Sequence, residues 1–255
     1  MDRQSLAIQY GTSANLAARI ALHQRCSTNA YGLQRWVFDR LQLAPGQRVL
    51  EIACGTGSLW RENLDRIPEG LSLVLSDFAI SMIETTRGVV VSARFVNCAL
   101  PSLPFADESF DLVIANHMLY HVAERQKGLG EIRRVLRGGG TFFASTNGID
   151  HLREIKDLMV SFGIEGSDVS SSFTLENGLE QLAPVFGDVQ RDDYVDSLRV
   201  TDPEMLLGYV ASMNARAAEV VGAREGEMRA VIEQRIARDG AFQVMKATGA
   251  FIARK

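Results

Sequence analysis

Apolar and polar positions along the chain alternate between two rhythms. Short apolar runs of the kind a buried parallel strand shows recur at residues 49–52, 71–76, 93–99, 110–115 and 141–146. Between them, apolar residues fall at helical spacing: Leu59, Trp60, Leu64 and Ile67; then Ile80, Met82 and Ile83; then Leu129, Ile132 and Leu136 in a helix over about 124–137. Strands alternating with helices predict a parallel sheet covered on both faces. Arg133, Arg134 and Arg137 fall in the last turns of the 124–137 helix, where cations suit the dipole, and Gly138 is placed to stop it. Residues 1–40 precede the first strand and read as helical, with Leu16, Ile20 and His23 on one face and Trp36, Val37, Phe38 and Leu41 in a second cluster. That segment either covers a sheet edge or forms a lid in which Tyr10, Tyr31 and Trp36 close over a ligand. Pro45-Gly46 marks the turn into the first strand.

The pattern loosens after Asn147. It predicts helices at 151–162 and 175–186 around a serine-rich turn (167–172), then a strand at 189–200. Thr201 or Asp202 caps the next helix, with Pro203 in its first turn, and helical spacing runs on to about Arg238. A final strand, 242–253, is expected to return antiparallel beside 189–200. No repeat, low-complexity segment or break in composition divides the 255 residues, so one α/β domain is the expectation.

The stretch VLEIACGTGSLW carries the first candidate chemistry. Its strand stops at Cys54-Gly55-Thr56-Gly57 and a helical pattern follows, which sets bare backbone N–H groups at a helix N-terminus where a ligand can approach closely. Asp77 ends the next strand at the spacing where a βαβ unit holds a ribose diol. A tight turn that binds nothing shares this pattern, so the turn by itself decides little. Trp60 stands where a dinucleotide fingerprint has its third glycine, which argues against a pyrophosphate packed on the helix. Glu51, just ahead of the turn, is placed to meet a cationic group, which a nicotinamide dinucleotide does not need.

A second group follows the 110–115 strand. Asn116 and His117 stand at its end, with Tyr120 and His121 behind them. His117 is the first candidate for a base or acceptor-orienting group, because an imidazole titrates near neutrality. A packing role is open for it and more so for His121. His151 suits a cap or surface position, and Met159, Met205 and Met213 suit a core.

Charge narrows the partners. A net charge of −4 and a pI near 5.7 disfavour a large nucleic-acid footprint. No apolar run approaches the roughly 18 residues of a membrane span. The first residues lack a signal-peptide core, which points to the cytoplasm. Cys26, Cys54 and Cys98 are widely spaced and read as free buried thiols, with neither a disulfide nor a metal site expected.

Taken together, LEIACGTGSLW, LVLSDFAISMI, LPFADESFDLVIANHMLYHV and EIRRVLRGGGTFFAST resemble the class I S-adenosylmethionine-dependent methyltransferases of the bacterial small-molecule type. The likeness covers residues 35–150 strongly and FQVMKATGAFIARK more loosely. It implies a Rossmann-like, seven-stranded, mostly parallel sheet whose last strand is antiparallel, within a single domain over 1–255. In that reading 1–40 is a helical lid, 45–150 the cofactor-binding core, and 151–255 cap helices and closing strands. The implied cofactor is S-adenosyl-L-methionine, leaving as S-adenosyl-L-homocysteine. Ala53, Gly55, Thr56 and Gly57 would form the loop beside its methionine and ribose portions, and Glu51 would order that loop. Asp77 would take the ribose hydroxyls, Phe78 and Met82 would pack on the adenine, and Asn116 would lie near the methionine moiety. Two positions depart from the family. Ala53 replaces the first glycine of the loop, and Cys98-Ala99 offers no carboxylate where an acid commonly accepts the adenine amine, an omission worth roughly 1–3 kcal/mol if nothing compensates.

The activity so implied is methyl transfer to an O or N atom of a small-molecule acceptor, in specialised metabolism, by a monomer or homodimer that engages neither nucleic acid nor membrane. His117, Tyr120 and His121 would be its catalytic candidates. The alternatives are a non-catalytic protein that binds S-adenosylmethionine or S-adenosylhomocysteine, and a methyltransferase acting on RNA or protein.

Overall fold

A computed structural model describes residues 13–165 and 172–255. Tyr10 and residues 167–171 of the serine-rich turn lie outside the described residues, as does the side chain of Leu16. Seven strands form one sheet: β1 (Arg48–Ile52), β2 (Ser72–Asp77), β3 (Arg94–Asn97), β4 (Phe110–Asn116), β5 (Leu136–Asn147), β6 (Asp188–Val200) and β7 (Phe242–Arg254). Their order across the sheet is β3-β2-β1-β4-β5-β7-β6. Strands β1 to β5 pair in parallel, and β7 pairs antiparallel with β5 from Thr141↔Arg254 to Asn147↔Thr248. The mostly parallel sheet with its last strand reversed is the architecture expected, and β7 lies between β5 and β6.

Contacts divide the chain into two compact units. The larger comprises Tyr31–Ile149, Ser170–Tyr194 and Thr248–Lys255. Within it, successive strand residues go to opposite faces, as the two-residue strand period requires. Leu50, Ile52, Val113, Phe142 and Ala144 join one buried cluster, into which α5 (Arg125–Val135) sends Leu129 and Ile132. Val49, Leu75, Leu112, Ile114 and Phe143 join the other, with Trp36, Val37, Phe38 and Leu41 from α2 (Leu33–Leu41) and Trp60 from α3 (Ser58–Arg61). Trp36 is buried edge-on to Tyr194, with ring centroids 5.4 Å apart, so it belongs to this core. Tyr31 is exposed and its hydroxyl donates to Asp39 at 2.7 Å.

The smaller unit comprises Met1–Ala30, Asp150–Val169 and Val195–Ala247. Its core joins Leu22 and Cys26 of α1 (Ser13–Cys26), Leu158 and Met159 of α6 (Arg153–Ser161), Leu206 and Val210 of α8 (Pro203–Ala211), and Met228 and Ile232 of α9 (Ala215–Asp239). Met205 and Met213 pack against the same cluster. Asp202 caps α8, its carboxylate accepting from Glu204 N at 3.0 Å, with Pro203 in the first turn as its sequence predicts. Asp196 is a buried anchor. It pairs with the Lys246 ammonium and accepts from Ser27 Oγ at 2.8 Å and from the backbone N–H groups of Ser197 (2.8 Å) and Asn29 (3.0 Å).

Several boundaries differ from the sequence expectation. The helix after Gly57 is a single turn, Ser58–Arg61, followed by a 3₁₀ turn at Leu64–Arg66. Asn63 intervenes: its buried amide donates to the Leu59 carbonyl at 2.7 Å, an alternative to the helical ladder. Helix α5 ends at Val135, and β5 starts at once with Leu136 paired to Phe110. Gly138 therefore lies inside β5, and Arg137 pairs with Asp111 instead of facing a helix end. Strand β3 is only four residues long, and the helix expected over 175–186 is the short α7, Gly178–Leu182. Thr174 and Asn177 use their side chains to form the turn before α7, and Phe251 packs on Gly178 so closely that a β-carbon there would stand 2.3 Å from the ring. Cys98 is half-buried, unlike Cys26 and Cys54.

Candidate functional site

All the candidate residues from Glu51 to His121 fall within the larger unit, at the C-terminal ends of β1, β2, β3 and β4. Open α/β sheets present ligand-binding groups at these ends. The turn after β1 carries three left-handed residues, Ala53 (φ 57°), Gly55 (φ 55°) and Gly57 (φ 69°). Gly55 and Gly57 hold this conformation without steric cost, whereas Ala53 bears a side chain there, at a cost of about 1 kcal/mol. A β-carbon placed on Gly55 would meet nothing within 4 Å, so open space borders its backbone. On Gly57 it would stand 2.6 Å from Cγ2 of Thr86.

Two buried side chains fix this turn. The Thr86 hydroxyl, on α4 (Ile80–Arg87), donates to the Gly55 carbonyl at 2.7 Å. The Asp77 carboxylate accepts from Gly55 N through Oδ2 at 3.0 Å and from Ala79 N through Oδ1 at 2.9 Å. Asp77 thus ties the glycine turn to the end of β2. Its carboxyl pKa is raised by burial, against the opposing effect of the Ala79 and Gly55 N–H groups. Each oxygen keeps a lone pair for a ligand hydroxyl.

Glu51 lies in β1 and is 2 % exposed. Its Oε2 accepts from the Trp60 indole N–H at 2.6 Å. Burial pushes the carboxyl up to about 8; the indole N–H opposes the rise and the neighbouring Asp77 adds to it. The group is therefore largely protonated at neutral pH. Trp60, at the sequence position of the missing third glycine, is fully buried.

Phe78 is 39 % exposed and Met82 half-buried beside the end of β2. Cys98 N donates to the Asp77 carbonyl at 3.2 Å, and the Ala99 carbonyl accepts from Ser102 N at 3.0 Å. Thr56 stands between the two glycines, half-buried.

Asn116 and His117 belong to a separate polar group at the ends of β4 and β5. Ser145 Oγ hydrogen-bonds Asn116 Oδ1 and accepts from His117 N at 3.1 Å. Asn116 Nδ2 reaches Gln34 Oε1 of α2 at 3.5 Å. His117 itself is left-handed (φ 51°), an uncommon conformation for a residue with a side chain. Tyr120 and His121 follow in a 3₁₀ turn with ring centroids 4.5 Å apart. Burial lowers the His121 pKa, so its ring is neutral at pH 7, and among the described residues its Nδ1 has no hydrogen-bond partner.

Sequence reasoning passed over Thr86, Ser145 and Asn97. Ser145 had a signal, a hydroxyl directly after the apolar Phe142-Phe143-Ala144, where a buried hydroxyl needs a partner; Thr86, between Thr85 and Arg87, had none. Asn97 ends an exposed edge strand and would have read as a solvated polar tip.

A sequence profile described as a methyltransferase domain matches residues 50–144. A ubiquinone/menaquinone biosynthesis C-methyltransferase of Stenotrophomonas maltophilia is 37 % identical over 113 residues, covering 42 % of this chain and 45 % of its own length. A demethylmenaquinone methyltransferase of Renibacterium salmoninarum is 37 % identical over 107 residues, covering 42 % and 44 %. The chain thus spans about half the length of the curated relatives it matches. Among solved structures, a Haemonchus contortus phosphoethanolamine N-methyltransferase 2 bound to S-adenosyl-L-methionine superposes with a TM-score of 0.61 at 18 % identity, over 99 % of this chain and 59 % of that one. The [4+2]-cyclase SpnF superposes at 0.53 and 18 % identity, over 87 % and 79 %. At these identities the structural likeness establishes the fold alone.

Proposed function

We propose that the protein is a class I S-adenosylmethionine-dependent methyltransferase that transfers a methyl group from S-adenosylmethionine to a small-molecule acceptor, a reading supported by the methyltransferase-domain profile over residues 50–144 and by the methyltransferases similar over that stretch. One observation carries the reading: the Asp77 carboxylate is held by Gly55 N and Ala79 N at the edge of a turn with open space beside Gly55. A nucleoside fits such a place, with its ribose hydroxyls on Asp77 and its base on the exposed face of Phe78. Gly55, Thr56 and Gly57 would line the methionine side, and the Asn116–Ser145 pair would orient its amino-acid end.

S-adenosylmethionine supplies an electrophilic methyl on a sulfonium, so the chain has to align an acceptor and keep water out. His117 is the proposed base, needed where the acceptor atom arrives protonated. Its left-handed backbone, held by Ser145, is strain of the kind that accompanies functional positions. Tyr120 and His121 would shape the adjoining wall. The ubiquinone/menaquinone biosynthesis C-methyltransferase among the relatives extends the acceptor atom beyond O and N to carbon. A second reading, in which the same cleft holds the cofactor without transferring its methyl, draws on the same Asp77 and Gly55 geometry.

Incubation with methyl-labelled S-adenosylmethionine and fractionated small-molecule extract separates these readings: a labelled product is expected, and binding without any transfer favours the second. Asp77→Ala is expected to weaken S-adenosylhomocysteine binding by on the order of 2 kcal/mol, about 30-fold, and unchanged affinity in calorimetry removes the ribose assignment. His117→Ala should lower turnover more than cofactor affinity; equal rates remove it as a base.

A further inference from the structure

The 3₁₀ turn that carries Tyr120 and His121 is held from outside by one side chain. Its own closure is slight: His121 N donates to the Met118 carbonyl at 2.9 Å and Val122 N to the Leu119 carbonyl at 3.1 Å. Arg125, the first residue of α5, supplies the rest. Its Nε donates to the Leu119 carbonyl at 2.9 Å. Its Nη2 donates at 2.7 Å to Ser172 Oγ, which passes its own hydrogen to the Tyr120 carbonyl at 3.0 Å. Nη1 donates to Gln181 Oε1 of α7 at 2.9 Å, and the guanidinium lies over the ring of the fully buried Phe173, 5.8 Å from its centroid. Among the described residues these hydrogen-bond partners are all neutral oxygens, so burial acts against the charge with no carboxylate to offset it. A guanidinium is a rigid planar fork, and bonds in three directions fix the carbonyls it holds relative to α5 and α7. A lysine could hold any one of these oxygens but not all three.

We propose that Arg125 is a positioning residue for methyl transfer: by fixing the Leu119 and Tyr120 carbonyls it sets where the rings of Tyr120 and His121 stand against the acceptor. The inference rests on the reading above, in which those rings form a wall beside His117, and adds the group that places them. His121 needs such a placement. Its Nδ1 has no hydrogen-bond partner among the described residues, so the ring is directed by the turn beneath it and by the Tyr120 ring 4.5 Å away. Arg125 meets only the backbone of this turn, so it acts through Tyr120 and His121 and not on the reacting atoms. A shift of about 1 Å in such a wall is enough to slow a transfer that depends on alignment by on the order of 100-fold.

Two measurements on the full chain test this: transfer of label from methyl-labelled S-adenosylmethionine to the small-molecule fraction that the parent labels, and calorimetry with S-adenosylhomocysteine. Arg125→Ala is expected to slow transfer by about tenfold or more while cofactor affinity stays within about twofold of the parent. Arg125→Lys should be slowed as well, because one ammonium cannot span the three oxygens. Ser172→Ala, a change at an exposed residue, releases the Tyr120 carbonyl alone and should give a smaller loss. Imidazole NMR adds a reading independent of turnover. The His121 signals, identified by their absence in His121→Gln, should move in Arg125→Ala, and those of His23 in the smaller unit should not. Thermal melts establish that each variant is folded. A full transfer rate in Arg125→Ala or Arg125→Lys overturns the proposal, and where neither folds a full rate in Ser172→Ala does so. Equal loss of rate and cofactor affinity, or unmoved His121 signals, overturns it too and leaves Arg125 as a strut of the fold. A parent that labels no fraction overturns the methyl-transfer reading and this proposal with it.

Discussion

Gly57 shows how narrow the tolerances are around the β1 turn. Its positive φ already disfavours any side chain, and the Thr86 methyl fills the space where a β-carbon would go. Gly57→Ala is expected to destabilise the larger unit by about 3 kcal/mol, combining left-handed strain with overpacking. Thr86→Ser in that background removes Cγ2 and keeps the hydroxyl on the Gly55 carbonyl, so it should recover roughly half of the loss; denaturant melts of the single and double variants measure both. No recovery would place the whole cost in the backbone. Ala53 offers the reverse case: glycine there should relieve strain and raise stability by up to about 1 kcal/mol, less the entropy glycine adds to the unfolded chain.

Caps and strand ends decide how the elements begin and stop, and here the sequence was unevenly legible. Thr201-Asp202-Pro203 announced α8 because a capping side chain and a proline act through local chemistry alone, and Asp202 does cap it. Asp202→Ala should therefore cost about 1 kcal/mol and lower the melting temperature by a few degrees, read by circular dichroism. The glycine turn and Asp77 were legible because each is marked by the local pattern at its own strand end, although the two meet across 22 residues. Gly138 misled because a glycine after a helical pattern resembles a stop, yet Leu136 found its partner in Phe110, which no local pattern reveals. Ser145 with Asn116, and Asn97 with the end of β2, are likewise contacts between strands distant in sequence. Acceptor choice was illegible throughout, because it depends on the shape of a cavity and not on any motif.

At the scale of the whole molecule, two buried groups titrate in opposite senses. His23, in the smaller unit, stacks 6.4 Å from His151, and burial together with the nearby Lys246 cation lowers its pKa to about 4. The unfolded chain takes up that proton more readily, so the stability His23 confers is complete above pH ~6.5 and is lost as pH falls towards 4, about 3 kcal/mol in all. Glu51 works the other way. With a folded pKa of about 8 against an ordinary 4.5, its contribution is complete below pH ~4.5 and is lost as pH rises through 8. Thermal melts from pH 4 to 9 should show both slopes. Both tryptophans, Trp36 and Trp60, lie in the larger unit, so their fluorescence should report the alkaline loss, and Glu51→Gln should flatten it. A fluorescence midpoint unmoved between pH 6 and 9 counts against the Glu51 assignment.

One topological detail bears on biosynthesis. Strand β7 is the last of the seven to leave the ribosome, yet it occupies an interior lane of the sheet, flanked by β5 and β6. Until it emerges, the β5 edge that β7 pairs with has no partner, and an unpaired edge is a template for wrong pairing. Removing β7 would take out an interior lane of the sheet and not an edge.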